Sequence, residues 1–181
     1  MFARTKRLTL RPGWPEDAPA LAQAIAHEAV AAMLVRAPWP YGIADAEAFL
    51  SLPRGPHDPN FLIEAMDGDV PRLVGGIELM RSGGERELGY WLTPDAWGRG
   101  YATEAGRAVL HIARHGLGLR KVVASHALDN PASGKVLRKL GFREVGRAAQ
   151  HSVARGRDMP CALLECTLDS DENRPAMQIA A

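Results

Sequence analysis

The chain has 181 residues, 46% of them hydrophobic, and its 22 basic and 21 acidic side chains leave a net charge of +1. This length suits one domain with its own core, and the interspersed, nearly balanced charges argue against a nucleic-acid-binding surface. No window reaches the roughly 18 apolar residues of a membrane-spanning helix, and no apolar stretch follows the charged N-terminus as it would in a signal peptide. We therefore expect a soluble cytoplasmic protein without a nucleic-acid or membrane partner.

The first half of the chain carries the signals of a strand, two helices and a β-hairpin. A proline followed by two acids opens the first helix, and Asp67-Gly68-Asp69 supplies the hairpin turn. Between the two helices, the Pro-Trp-Pro-Tyr segment at 38–41 predicts a rigid aromatic turn. The predicted elements are a strand at Leu8–Arg11, helices at about 15–33 and 45–50, and strands at 61–66 and 73–79.

The second half of the chain alternates strands and helices. Strand 87–93 is apolar on both faces, which is typical of an interior strand. With the following helix and strand it predicts a right-handed crossover, and the whole pattern predicts a mixed α/β sheet with helices on its faces. We assign 1–168 to one domain and expect the polar segment 169–181 to be a mobile tail. The other predicted elements are helices at 100–116 and 131–140 and strands at 121–126, 142–148 and 161–168.

Two glycines, Gly98 and Gly100, flank Arg99 in the turn that joins strand 87–93 to the next helix. Glycine lets the backbone approach a ligand closely. The first turn of a helix also presents unpaired N–H groups at the positive end of the helix dipole. The turn is therefore suited to an anion such as a phosphate, although an ordinary strand-to-helix turn that faces water would show the same pattern.

Two nucleotide-binding motifs fit this turn poorly. A Rossmann fingerprint needs a third glycine where the chain has Thr103, and it does not follow antiparallel strands such as those predicted here. A P-loop needs Gly-Lys followed by Ser or Thr, which the turn lacks.

The segment Trp97-Gly-Arg-Gly-Tyr-Ala-Thr-Glu-Ala resembles the acetyl-CoA-binding motif of the GNAT superfamily of N-acetyltransferases, Gln/Arg-x-x-Gly-x-Gly/Ala. Trp97 departs from the first motif position, and the segment is similar to the form found in the RimJ/RimL-like branch. The resemblance covers nearly the whole domain, with Glu-Leu-Gly-Tyr-Trp-Leu before the turn and Asn-Pro-Ala-Ser and Leu-Gly-Phe after it. It implies a GNAT-like single domain whose largely antiparallel central sheet contains one parallel, splayed strand pair and carries flanking helices.

The resemblance also implies that acetyl-CoA is the co-substrate, with no metal. Leu92 and Thr93, at the strand edge, would pair with the pantetheine arm and polarise the acetyl carbonyl, and Asn130 would bond a pantetheine amide. Arg99, Lys135 or Arg138 could approach the phosphates as cations, although a solvated helix or turn surface would explain all three at least as well. The pyrophosphate would lie on the backbone amides of Gly98, Arg99, Gly100, Tyr101, Ala102 and Thr103.

Acetyl transfer needs a neutral amine and a route for its proton, and Glu87 is the candidate base. It occupies the position where many family members carry an acid that works through water. An acid within a central strand is costly unless it is paired or functional. The alternative is a glutamate at the start of the strand that is solvated or paired with Arg81 or Arg86.

The departing sulfur also needs stabilisation, and Ser133 is the candidate for this role. Many relatives place a tyrosine seven residues after the Asn, but Leu137 occupies that position here. RimL-like enzymes carry Asn-x-x-Ser, with the hydroxyl near the thiol. The alternative for Ser133 is a helix-start serine that satisfies backbone donors.

No metal site is predicted. His111 and His115 have the spacing of a zinc pair, but Ile112 replaces the acid of a His-Glu-x-x-His motif and no third ligand is evident. Cys161 and Cys166 lie an odd number of residues apart on one predicted strand, so they face opposite ways and a disulfide framework is disfavoured.

The leading hypothesis is direct transfer of acetyl from acetyl-CoA to a primary amine. A protein α-amine, with a reference pKa of ~8, needs less help from a base than a lysine amine at ~10.4. The acceptor is therefore expected to be a protein N-terminus or a small-molecule amine, and the RimJ/RimL resemblance implies the N-termini of ribosomal proteins. Trp39 and Tyr41 are candidates for the acceptor pocket, with a core role as the alternative. The rival hypothesis is a non-catalytic acyl-CoA-binding module or sensor, and we expect a monomer or a homodimer.

Overall fold

The computed structural model describes residues 1–55 and 57–168, and across these residues eight strands form one mixed sheet. The strands are β1 Ala3–Arg4, β2 Leu8–Arg11, β3 Asn60–Ala65, β4 Arg72–Ser82, β5 Glu85–Leu92, β6 Lys121–Ala127, β7 Arg143–Ser152 and β8 Arg157–Thr167. Their order in the sheet is β1-β2-β3-β4-β5-β6-β8-β7. The predicted tail, 169–181, lies outside the described residues.

Five helices accompany the sheet in the described part of the chain: α1 Ala18–Ile25, α2 Glu28–Ala31, α3 Ile43–Leu50, α4 Tyr101–His111 and α5 Pro131–Lys139. A π-helical turn at Ile112–Gly116 continues α4. None of these helices is long and apolar enough to cross a membrane. Apart from the first helix, the predicted elements are confirmed, with shifts of a few residues at their ends.

The prediction of one continuous helix over 15–33 is wrong. The helix α1 ends at Ile25 and α2 begins only at Glu28, because His27 has an extended backbone with φ −130° and ψ 116°. Neither glycine nor proline marks this break, so local propensity predicts a continuous helix. Each of the two short helices buries its own apolar residues, among them Leu21 in α1 and Val30 in α2.

Different helices cover the two faces of the sheet. On one face, α4 and α5 pack over a large cluster that includes Leu88, Val109 and Leu137. On the other face, α1 and α3 pack over a second cluster that includes Leu21 and Leu62. We call these the α4–α5 face and the α1–α3 face.

Side chains of β5 alternate between these two faces. Leu88, Tyr90 and Leu92 belong to the cluster on the α4–α5 face. Trp91 packs against the cluster on the α1–α3 face, and Glu87 shares its side of the strand. The prediction of an interior strand is confirmed, since β5 lies between β4 and β6.

Among the described residues, β5 and β6 are the only parallel neighbours in the sheet. Their ladder is confined to one pair, Glu87 and Val123. Beyond this pair, β5 continues to Leu92 and β6 to Ala127. A space therefore opens between the carboxyl ends of the two strands, as expected for a splayed pair. We call it the β5–β6 gap.

Leu137 tests the packing of α5 on the sheet, because its side chain has no exposed surface. Leu137→Ala should lower the free energy of unfolding by roughly 2–5 kcal/mol, measured by urea denaturation. Val145→Ala is the control, since Val145 is 58% exposed and its truncation should change stability by less than about 0.5 kcal/mol. Equal stability of the two variants would contradict this packing.

Candidate active site

The turn between β5 and α4 is shaped by two glycines with left-handed backbones. Gly98 has φ +74° and Gly100 has φ +82°, a conformation that costs an L side chain about 1–2 kcal/mol. A Cβ added at Gly98 would meet no atom within 4 Å, so the space in front of the turn is open. The first turn of α4 starts directly after Gly100. Its N–H groups and this open turn together fit a pyrophosphate.

Arg7, in the loop before β2, holds the turn in place. Its Nη1 donates to the carbonyl oxygen of Arg99 at 3.0 Å, and its Nε donates to Glu104 Oε2 at 2.8 Å. Thr5 Oγ1 also donates to Glu104, at 2.6 Å. Burial opposes ionisation of Glu104, but the hydrogen bonds from Thr5 and Arg7 outweigh it and lower the pKa of the carboxyl. The first turn of α4 is therefore tied to the start of the chain.

Side chains of the predicted pyrophosphate segment divide into two groups. Gly98, Arg99 and Gly100 are exposed, whereas Tyr101, Ala102 and Thr103 are buried. The Tyr101 hydroxyl donates to Asp67, and the Arg7 guanidinium lies over the Tyr101 ring at 4.9 Å from its centre. Because the side chains from 101 to 103 point into the core, backbone amides are the groups that this segment offers to a ligand.

Leu92 presents its peptide group to the β5–β6 gap. Thr93 donates its N–H to the Val74 carbonyl on β4, at 2.9 Å. Peptide groups alternate in direction along a strand, so the N–H and C=O of Leu92 point away from β4, toward β6. The Leu92 carbonyl accepts the indole N–H of Trp97 at 2.9 Å. Of the two residues predicted to meet pantetheine, Leu92 therefore faces the gap, with its N–H as the donor.

Asn130 and Ser133 lie at the start of α5, directly after β6. Asn130 Oδ1 accepts the Ser133 N–H at 3.1 Å and thereby caps the helix. The side chain of Ser133 makes no cap. Its Oγ lies 2.7 Å from the hydroxyl oxygen of Tyr90 on β5. Lys135 and Arg138 are exposed on α5.

Glu87 is half-buried on the α1–α3 face, beside the one position where β5 and β6 pair. Ser125 Oγ donates to Glu87 Oε1 at 2.8 Å and also lies 3.2 Å from Gln150 Oε1. Arg86 and Arg81, the alternative partners expected for Glu87, form ion pairs with Asp58 instead, at 2.6 Å and 3.5 Å. The carboxylate thus remains near the gap without an arginine neighbour among its described bonds.

Glu78, on β4, is an acidic residue of this region that sequence reasoning missed. It lies opposite Gly89 and diagonally across from Glu87, a relation that places residues ~7–8 Å apart. Burial raises the pKa of its carboxyl, against the opposing effects of Arg36 and Asn60. Asn60 Nδ2 donates to Glu78 Oε2 at 2.6 Å. The sequence feature that could have identified Glu78 is the presence of an acid inside the apolar segment Gly-Gly-Ile-Glu-Leu.

The two candidate acceptor residues differ in exposure. Tyr41 is buried in the cluster between α1 and α3, and burial raises the pKa of its hydroxyl to about 12. Trp39 is exposed on the loop that joins α2 to α3. The core role fits Tyr41, while Trp39 is available for contact with a ligand.

The histidine and cysteine pairs form no metal site in the described part of the chain, where no cluster of three or more suitable ligands occurs. The His111 and His115 rings lie in tilted contact, with their centres 4.5 Å apart. Cys161 and Cys166 are buried and belong to different hydrophobic clusters, as expected for residues on opposite faces of one strand.

A family model described as an acetyltransferase (GNAT) domain matches residues 7–143, which is more than half of the chain. The chain belongs to the GNAT acetyltransferase family. The family and the fold predicted from the sequence are thereby confirmed.

Two curated relatives come from Bacillus subtilis. YnaD, an uncharacterised N-acetyltransferase, is 31% identical over 104 residues, which make up 56% of this GNAT chain and 60% of YnaD. YdaF, named as a proposed ribosomal N-acetyltransferase, is 30% identical over 82 residues, 45% of each chain. The chain thus spans about half the length of these two relatives. The name of YdaF supports the RimJ/RimL-like branch.

Solved structures share the fold at low sequence identity. The GNAT-family acetyltransferase from Bacillus anthracis has a TM-score of 0.80 at 22% identity and covers 94% of this chain and 100% of its own. Spermidine N-acetyltransferase from Vibrio cholerae, solved with CoA and spermine, has a TM-score of 0.76 at 18% identity and covers 91% of this chain and 97% of its own.

Gly100→Ala tests the glycine turn, because alanine must adopt the left-handed backbone there. We expect a loss of about 1–2 kcal/mol in the free energy of unfolding and roughly tenfold weaker CoA binding by isothermal titration calorimetry as the turn relaxes. Gly116→Ala is the matched control, since a Cβ there meets its nearest atom at 3.7 Å and the backbone is not left-handed. If both variants bind CoA as tightly as the wild type, the turn is not the CoA site.

Proposed function

We propose that this chain transfers an acetyl group from acetyl-CoA to a primary amine by direct attack within a ternary complex. The observation that carries the proposal is the β5–β6 gap, from which β5 leads directly into the glycine turn. Glu87 lies on one face of the sheet beside this gap, and Tyr90 and Ser133 meet on the other.

The groups that would hold acetyl-CoA follow from this geometry. Backbone amides of residues 98–103 hold the pyrophosphate, and the Leu92 N–H faces the acetyl carbonyl in the gap. Because Asn130 Oδ1 is occupied by the Ser133 N–H, the side-chain nitrogen of Asn130 is the group offered to a pantetheine carbonyl. Lys135 and Arg138 add positive charge along α5.

Acetyl-CoA supplies the acetyl thioester. In the overall reaction a nitrogen–carbon bond forms, the carbon–sulfur bond breaks, one proton leaves the nitrogen and one reaches the sulfur. Glu87 accepts the proton of the amine, directly or through a water molecule, on the α1–α3 face. The Leu92 N–H stabilises negative charge on the carbonyl oxygen. Ser133 Oγ donates a hydrogen bond toward the sulfur on the α4–α5 face.

The acceptor is a protein N-terminus or a small-molecule amine. The Glu87 carboxylate, which has no arginine among its described bonds, places negative charge beside the gap and suits an amine that arrives in its protonated form. The likeness to YdaF supports a ribosomal-protein N-terminus, and the fold shared with spermidine N-acetyltransferase supports a small polyamine.

A non-catalytic acyl-CoA-binding module is the second candidate. The observation in its favour is Leu137, which fills the position of the tyrosine found in many relatives and is buried in the core. Such a module would bind CoA through the same turn and gap but would acetylate no amine.

Glu87→Gln separates these two functions. Because the variant keeps the shape of the side chain but cannot take the amine proton, kcat should fall by about 10²–10⁴-fold, with the CoA affinity unchanged. The assay follows thiol release from acetyl-CoA with a panel of α-amino peptides, polyamines and lysine peptides, and mass spectrometry identifies the acetylated product.

Glu85→Gln is the matched control on the same strand, because Glu85 pairs with Lys121 at 2.9 Å, away from the open end of the gap. Its activity should equal that of the wild type. Tight CoA binding without any acetylated amine would instead establish the non-catalytic module.

A further inference from the structure

Tyr90 is a half-buried residue whose hydroxyl has no role in the proposed function. It lies on β5, two residues before Leu92, and its side chain points to the α4–α5 face. The hydroxyl oxygen lies 2.7 Å from Ser133 Oγ and 3.2 Å from the Ser133 carbonyl oxygen. The phenol therefore meets the start of α5 from across the β5–β6 gap.

The single phenol proton can be donated to only one of these two acceptors. This choice determines where the Ser133 hydroxyl proton points. If Tyr90 donates to the carbonyl oxygen, the Ser133 hydroxyl donates back to the phenol oxygen and its proton is occupied. If Tyr90 donates to Ser133 Oγ instead, the serine proton is released to another acceptor. Only the second arrangement lets Ser133 donate toward a sulfur.

We propose that Tyr90 is a positioning residue that turns the Ser133 hydroxyl toward the departing sulfur of CoA. This inference rests on the proposed function, because it assumes that the thiol lies beside Ser133. The phenol that many relatives place on α5, at the position of Leu137, is thus replaced by one from the neighbouring strand.

Tyr90 holds its own proton throughout. Burial raises the pKa of its hydroxyl to about 12, although the hydrogen bond with Ser133 acts in the opposite direction. A thiol has a reference pKa of ~8.5, so proton transfer from the phenol to a thiolate is unfavourable. Ser133 therefore stabilises the sulfur by hydrogen bonding, and Tyr90 acts through the serine. Both keep their protons, so the sulfur leaves as a thiolate and takes its proton from water.

The pKa of the thiol in bound CoA tests this role without an acceptor or any turnover. Saturating CoA is titrated on the wild type, Tyr90→Phe, Ser133→Ala and the double variant, and the ultraviolet absorbance of the thiolate reports ionisation. The wild type should hold the thiol pKa below ~8.5, and loss of the serine donor should raise it by about one unit.

Coupling between the two hydroxyls distinguishes positioning from packing. Tyr90→Phe should raise the thiol pKa in the wild type but cause no further change in the Ser133→Ala background, because it acts only through the serine. Ser133→Thr, which keeps a hydroxyl, should retain the dependence on Tyr90. In turnover, Tyr90→Phe should lower kcat roughly tenfold with KM for acetyl-CoA unchanged.

A thiol pKa that does not respond to Tyr90→Phe, or one that shifts equally with and without the serine hydroxyl, would overturn this inference alone. Urea denaturation of each variant confirms that it is folded under the conditions of the titration. If Tyr90→Phe does not fold, unequal thiol pKa values for Ser133→Thr and Ser133→Ala support the serine donor and equal values overturn it. Failure of the wild type to bind CoA would overturn the proposed function and the inference with it.

Discussion

The end of the parallel ladder at Glu87 and Val123 is the constraint on which the site depends. In a fully paired sheet, the peptide groups of β5 would be used by β6 along its whole length, and the two faces would be sealed from each other. Because the strands separate, the Leu92 peptide is left facing an open space. In the proposed function, this gap is where groups on the α1–α3 face and on the α4–α5 face both reach the thioester.

In the proposed function, the proton acceptor lies on one face of the sheet and the hydrogen-bond donor to the sulfur lies on the other. Glu87, with its Ser125 hydrogen bond, lies on the face where its carboxylate suits an incoming amine. Tyr90 and Ser133 lie on the face toward which the thiol would leave. The amine can therefore approach the thioester from one face while the thiol leaves toward the other, so the two do not compete for the same side chains. Trp97 adds to this arrangement, because its indole occupies the Leu92 carbonyl and leaves the N–H of that residue as the donor.

Local features of the chain were predictable from sequence. Gly98 and Gly100 mark a turn that needs left-handed backbones, and the structure has both. Alternation along β5 places Glu87 and Leu92 on opposite faces, as the strand pattern indicates. The splayed pair and the family followed from ordered motifs at the spacing of known relatives, which composition and periodicity alone do not provide.

Contacts between distant residues were not predictable. Arg7 reaches Glu104 across 97 positions, and Tyr90 reaches Ser133 across 43. No periodic pattern encodes such pairs, since they arise only when the sheet order brings the segments together. The break at His27 was missed for a similar reason, because separate packing of α1 and α2 overrides the helix propensity of an alanine-rich segment.

Backbone amide NMR during titration with CoA tests the central claim most directly. If the thioester arm enters the β5–β6 gap, the N–H resonance of Leu92 should shift together with those of residues 98–103, and these amides should exchange more slowly with solvent. Amides of β7, at the far edge of the sheet, should be unaffected. CoA binding that leaves Leu92 unchanged while perturbing other parts of the chain would contradict the account.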